Sequence, residues 1–260
     1  MPRFKLTIEY DGSKYKGWQV QSGVATVQGT IMKTCSEIFQ HNNFELYGAG
    51  RTDAGVHALE QVAHLDVGLT FKPQNLKIKL NDALPQSINI LNVEKVDKSF
   101  HARHSAVARS YVYLISKRRS GLAKNFVWWI RDDLNIEKIK NACNLFEGIK
   151  DYKNFTQEDK NDVKSTKVEV KSCKIFEHNQ IIAIHIVGSH FLWRMVRRMV
   201  GCLVEVGRNN LTERQLVSFF TKNTQFPAQH TAPHSGLYLE RVYYNGDEIV
   251  YEPNIFVNLI

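Results

Sequence analysis

Two stretches of this chain alternate apolar and polar residues with a period of two: RFKLTIEYDG at 3–12 and RSYVYLISKR at 109–118. That is the period of a β-strand, whose successive side chains point to opposite faces. The first ends at Asp11-Gly12, a turn signal. Each stretch leads into a mixture of helices and strands. ATVQGTIMKTCSEIF places Val27, Ile31, Cys35, Ile38 and Phe39 on one helical stripe, with Thr26 as N-cap. HALEQVAHLDV reads as a strand, KPQNLKIKLNDAL as a helix with proline near its start, and SINILNVEKV as a strand. After residue 109 the pattern begins again. NIEKIKNACNLFEG is amphipathic through Ile136, Ile139, Ala142, Cys143 and Phe146. KVEVKSCKIFEHNQIIAIHIVG reads as two strands around a turn at 178–180. FLWRMVRRMVGCLVEVG and TERQLVSFFTKN read as helices, and GLYLERVYY as a last strand.

This order lacks regular strand–helix alternation, so a doubly wound parallel sheet does not fit. Two α+β halves do, with sheets able to join edge to edge. The expected division is 1–104 and 105–260. A chain of 260 residues is long enough for a proper core in each half. Its four cysteines, Cys35, Cys143, Cys173 and Cys202, form no C-x-x-C pair, which excludes a zinc ribbon or a disulfide framework. The N-terminus opens directly on a strand, and no run of about 18 apolar residues occurs, so a cytoplasmic protein away from the membrane is expected. Lys plus Arg number 34 against 26 Asp plus Glu, a net charge of +8 that favours a polyanionic partner.

Four segments could carry chemistry. YGAGRTDAGVHA (47–58) sets one carboxylate, Asp53, among three glycines and beside Arg51. It lacks the third glycine of a dinucleotide fingerprint and the Gly-Lys-Ser/Thr of a P-loop. Either it is a tight turn with a surface ion pair, or it carries a single nucleophile or base, with Arg51 holding a phosphate or Asp53 itself. FHARHSAVARSYVY (100–113) interleaves His101, Arg103, His104 and Arg109 with Phe100, Tyr111 and Tyr113. Cations for phosphates and rings for stacking suit a nucleic-acid face; a polar loop entering a half-buried strand is the other reading. The two histidines have no third ligand at a supporting spacing, so no metal is expected. In FLWRMVRRMVG a helix would bury Phe191, Met195, Met199 and Leu203 and turn Arg194, Arg197 and Arg198 to the other side. Those arginines suit phosphates or form a solvated charged face. Gly201, one turn on, allows a backbone to come close. TAPHSGLYL (231–239) delivers Leu237 and Tyr238 into a strand from a loop set by Pro233 and Gly236.

DGSKYKGWQVQ with TVQG, GAGRTDAGVHA, FHARHSAVARSYVY, FLWRMVRRMVG and APHSGLYL, in this order, resemble the motif blocks of the bacterial tRNA pseudouridine synthase A (TruA) family over nearly the whole chain. The resemblance implies an isomerase that converts uridine to pseudouridine at positions 38, 39 and 40 of the tRNA anticodon arm, without cofactor or metal, as a homodimer. It implies two ferredoxin-like halves sharing one continuous, mainly antiparallel sheet with a central cleft. Carried onto matching positions, Asp53 is the essential aspartate and Tyr111 the ring that stacks on the target base. Arg51 and Arg197 lie in or near the cleft, and Leu237 lines the base pocket. Arg103, Arg109, Arg194 and Arg198 are expected RNA contacts. The chain departs from the family at His234, where Pro or Ala is frequent, and at Lys167 in DVKSTK (162–167), where Arg is common.

Overall fold

The computed structural model describes residues 1–157 and 165–253. The chain divides into two compact units, one formed by Met1–Val107 with Tyr238–Glu248 and the other built on Ala108–Leu237. The last strand of the chain therefore belongs with the first unit.

The first unit runs β1 (Arg3–Tyr10), α1 (Val27–Phe39), β2 (Phe44–Gly48), β3 (His57–Val67), α2 (Pro73–Ala83) and β4 (Ile88–Val96). This strand–helix–strand twice over is the split βαβ pattern of ferredoxin-like folds. β1 lies between β4 and β3, antiparallel to both. The other edge of β3 is shared: β2 pairs antiparallel with its second half. The last strand, Leu237–Tyr244, pairs parallel with its first half. Alternation along β1 places Phe4, Leu6, Ile8 and Tyr10 in the core with Val27, Ile31 and Cys35 of α1 and Leu76 and Leu80 of α2. Thr26 caps α1 by accepting from the Gly29 amide, as its position before the apolar stripe predicts. The opposite sheet face carries Lys5, His64 and Tyr47 in one register row, with Arg3, Asp66 and Glu45 in the next.

The second unit opens with β5 (Ala106–Ser116), β6 (Trp128–Trp129), α3 (Ile136–Asn144), β7 (Gly148–Asp151), β8 (Lys167–His178) and β9 (Ile181–Gly188). The helices α4 (Met195–Gly207), α5 (Glu213–Ser218) and α6 (Phe226–Gln229) come next; the strand Leu237–Tyr244 is β10. The sheet order is β5-β9-β8-β7, all antiparallel, with two-residue β6 parallel to the end of β5. α4 is buried along nearly its whole length and packs on α3. Both units are thus α+β with mainly antiparallel sheets, as expected.

Several boundaries differ from the pattern. The helix expected from Phe191 begins at Met195, because Arg194 takes a left-handed conformation (φ 61°) that ends any continuous helix through Phe191-Leu192-Trp193. TERQLVSFFTKN is helical only over Glu213–Ser218. β2, β6 and β7 have no counterpart in the pattern. They are two to five residues long, too short to show a period of their own. Of the DVKSTK stretch, residues 162–164 lie outside the described residues, and Lys167 opens β8.

Candidate active site

The Asp53 loop joins β2 to β3, and a second loop, 11–18, holds it in place. Backbone amides link the two: Trp18 donates to the Thr52 carbonyl (3.1 Å) and Gly55 to the Tyr15 carbonyl (3.2 Å), while Val56 closes the Asp53 loop on itself by donating to the Asp53 carbonyl (3.2 Å). Side chains complete them. The Tyr10 hydroxyl bonds the Thr52 hydroxyl at 2.8 Å inside the core, and Gly12 donates to His57 Nδ1 at 3.1 Å. The two loops touch so closely that a Cβ on Gly12 would lie 1.9 Å from the Val56 carbonyl oxygen. One on Gly17 would lie 2.5 Å from that of Thr52. Gly17 also has φ +94°, where any side chain is strained.

The 11–18 loop is itself anchored by α1. Val27 and Gln28 donate from their amides to the carbonyls of Gly17 and Trp18. Buried Gln28 bridges from the Val20 amide to the Leu46 carbonyl. The TVQG stretch therefore acts through its backbone and the Gln28 side chain, as a brace two steps removed from Asp53.

The three glycines of the Asp53 loop have separate reasons. Gly48 makes room for the Trp18 indole, which a Cβ would meet at 2.5 Å, and Gly55 turns with φ 77°. Gly50 faces open space. Thr52 is buried, Asp53 half-buried and Arg51 exposed. Among the described residues no ion pair joins Arg51 to a carboxylate.

The second unit holds the other expected residues except Arg103. Tyr111 lies half-buried on β5, with the Phe191 ring edge-on at 5.1 Å. Arg109 donates from Nη1 to the Ser189 carbonyl at 3.0 Å. The three arginines of FLWRMVRRMVG do not share one face. Arg194 precedes the helix and lies exposed, its guanidinium 4.6 Å from the Trp193 ring centre. Arg198 is buried, and its Nη1 donates to the carbonyls of Asn154 (3.3 Å) and Thr156 (2.5 Å). Burial pulls its pKa down, with the neighbouring Arg194 charge acting the same way. Arg197, half-buried between them, is clamped to the 231–236 segment: Nε donates to the Ala232 carbonyl at 2.8 Å, and the Ala232 amide donates back to the Arg197 carbonyl at 3.0 Å.

The pattern singled out Gly201, Pro233 and Gly236 but did not show that they join Ala232, His230 and the Tyr113 hydroxyl in this clamp. A Cβ on Gly201 would lie 1.5 Å from the His230 carbonyl oxygen, so the segment crosses α4 at backbone contact. The buried Tyr113 hydroxyl donates to the Pro233 carbonyl at 2.8 Å. Burial pushes that hydroxyl's pKa well up, and the Arg197 charge opposes it. Gly236 packs against the Tyr113 ring and the Leu114 carbonyl, which fixes the entry of buried Leu237. Arg103 is exposed on the loop between β4 and β5, in the first unit. Among the described residues no cluster of His, Cys, Asp or Glu could hold a metal, and no helix is long and apolar enough to cross a membrane.

A family model described as tRNA pseudouridine synthase matches residues 6–105 and 142–245, which include the Asp53 loop, Tyr111's neighbours on β9, and the Arg197 clamp. A tRNA pseudouridine synthase A of Ehrlichia chaffeensis is 38% identical over 248 residues, covering 93% of this chain and all of that relative. Proteins of the same name from Ruminiclostridium cellulolyticum and a Geobacillus species are each 36% identical, covering 94% of this chain and 100% and 98% of theirs. The chain belongs to the tRNA pseudouridine synthase family, whose members are isomerases acting on tRNA.

Proposed function

We propose that this protein isomerises uridine to pseudouridine at positions 38, 39 and 40 of the tRNA anticodon arm, with Asp53 as the group that does the chemistry. The reaction breaks the N1–C1′ bond, turns the uracil and joins its C5 to C1′. C5 gives up a proton and N1 gains one, so the product is an isomer and the balance calls for no cofactor. One carboxylate suffices, whether it attacks the sugar or base or takes the C2′ proton. The detached uracil must be confined, which a stacking ring at Tyr111 and an apolar wall at Leu237 can do. Extruding the nucleotide costs a few kcal/mol, which arginine–phosphate contacts at Arg51, Arg197, Arg103, Arg109 and Arg194 offset. Buried Arg198 serves by holding the 154–156 segment. The resemblance also supports a cytoplasmic homodimer.

The observation that carries the reading is the Asp53 loop. Two loops are locked backbone to backbone around one half-buried carboxylate, inside a span that matches the family. Such pre-organisation is what a positioned catalytic group requires. The test uses unmodified tRNA carrying tritium at uridine C5, with label release to water as readout. Asp53→Asn is expected to abolish release while tRNA still binds. Release by that variant at a rate comparable with wild type would refute the role of Asp53; no release by the wild-type protein would refute the activity.

A further inference from the structure

The outer sheet face of the first unit carries a row of four rings that the reaction does not use. Tyr47 on β2 stacks on His64 of β3, its cross-strand partner, with centroids 5.3 Å apart and planes 25° apart. His64 meets His101 edge-on at 4.6 Å, and His101 meets His104 at 4.4 Å. The inner His101 is half-buried and also meets Tyr47 at 6.2 Å, and the ends are open. His64 is buried, whereas Tyr47 is 47% exposed and His104 is exposed, with exposed Arg103 beside it.

The tautomers are set by the backbone. His64 Nδ1 accepts from the Ala102 amide at 3.1 Å. His101 Nδ1 accepts from the amides of Arg103 (3.1 Å) and His104 (3.3 Å). Each neutral ring therefore carries its proton on Nε2, a donor and not a metal ligand. The charges on this face are distributed unevenly. Asp66 is held by Arg3 at 2.6 Å, and Glu45 stands two residues before Tyr47 on the same strand face. Arg103 and His104, both exposed, stand together at the far end of the row. A ring at one end and a guanidinium beside an imidazole at the other match a nucleotide's two parts: a base needs a π-face, and a phosphate needs donors and positive charge.

We propose that the Tyr47–His64–His101–His104 row, with Arg103, is a second contact for the substrate RNA, which takes one unpaired nucleotide with its base on Tyr47 and its phosphate at the His104–Arg103 end. The proposal rests on the reading of the protein as a tRNA isomerase. Tyr47 precedes Asp53 by six residues, so the two lie within about 20 Å even on a fully extended chain, close enough for one RNA arm to reach both.

The test is binding of an unmodified tRNA transcript to wild type, Tyr47→Ala, Tyr47→Phe and Tyr47→Trp over a salt series. Tyr47→Ala is expected to raise Kd about tenfold, in the range measured for lost base stacking. Its slope of log K against log salt should stay at the wild-type value, since no charge is removed. Phe and Trp should restore affinity, which a folding defect in the alanine variant would not produce by ring replacement alone. Ultraviolet crosslinking of wild type should place RNA on the peptide that contains Tyr47. A Tyr47→Ala Kd within twofold of wild type, or ring variants that bind no better than alanine, overturns the proposal. Label release by the wild-type protein is scored separately. A protein that binds tRNA through Tyr47 but releases no label refutes the isomerase reading and leaves this contact standing.

Discussion

Gly201→Ala sets two effects of opposite sign against each other. Gly201 lies mid-helix in α4, where alanine is favoured over glycine by about 1 kcal/mol. On propensity alone the variant would be more stable. The structure says otherwise, because the new Cβ would lie 1.5 Å from the His230 carbonyl oxygen and 2.7 Å from its carbon. Both are backbone atoms, so no side chain can swing away, and helix or segment must move by about 2 Å to reach ordinary van der Waals distance. Overpacking of this kind costs about 1–3 kcal/mol. The displaced segment carries Ala232, so the paired bonds to Arg197 weaken too, and a bond to a charged group is worth about 1.5–3 kcal/mol. After the propensity gain, a net loss of about 1–4 kcal/mol remains. That corresponds to a melting temperature lower by several degrees, read by circular dichroism. Gly68→Ala, whose Cβ meets open space, is the control and should change little. Because Arg197 is displaced along with Ala232, tritium release from tRNA at saturating substrate should fall as well. A Gly201→Ala protein that melts at or above wild type would refute the argument.

Tyr113→Phe leaves the Pro233 carbonyl without its donor and should cost about 1–2 kcal/mol in urea unfolding, with a lower kcat on tRNA because the segment positions Arg197 and Leu237; unchanged stability and rate would show that the bond holds nothing in place. His64 is held neutral, its pKa pushed down to about 4 by burial first, then by the Arg3 and His101 charges. The unfolded chain gains a proton there near pH 6.5 and the folded protein only near 4. The contribution is therefore complete above about 6.5 and lost as pH falls towards 4, by at most about 3 kcal/mol. The stability difference between wild type and His64→Gln should shift by that amount between pH 7 and pH 4.5, and a constant difference would contradict it.

The elements legible in the sequence are those whose own side chains decide their state. β1 alternates because one face is buried, as β5 does up to Val112, beyond which both its faces are buried, and α1 shows both its stripe and its cap. Short β2, β6 and β7 are strands because a longer neighbour pairs with them, and no residue in GIKD or WW records that. Periodicity draws α4 too long because Phe191, Met195, Met199 and Leu203 keep helical spacing across a left-handed residue. It counts side chains and does not register one φ at Arg194. The same limit puts Arg198 on an exposed face, although its partners, the carbonyls of Asn154 and Thr156, are backbone groups distant in sequence.

For the site, the motif residues are legible by resemblance, whereas their supports are not, because the supports act through the main chain. Trp18, Tyr15 and Ala232 hold the Asp53 loop and Arg197 with amides and carbonyls that every residue possesses. What such contacts leave in the sequence is the absence of a side chain. Gly12, Gly17, Gly201 and Gly236 each stand where a Cβ would come within 2.6 Å of a carbonyl oxygen. Two press on the Asp53 loop, and two hold the segment that clamps Arg197 and introduces Leu237. Substitutions at these glycines should therefore act on the site without touching substrate, and their cost should track the depth of the clash. On that ordering Gly201 and Gly12, at 1.5 and 1.9 Å, tolerate alanine less well than Gly17 and Gly236 on space alone, and Gly17 falls further only through its positive φ.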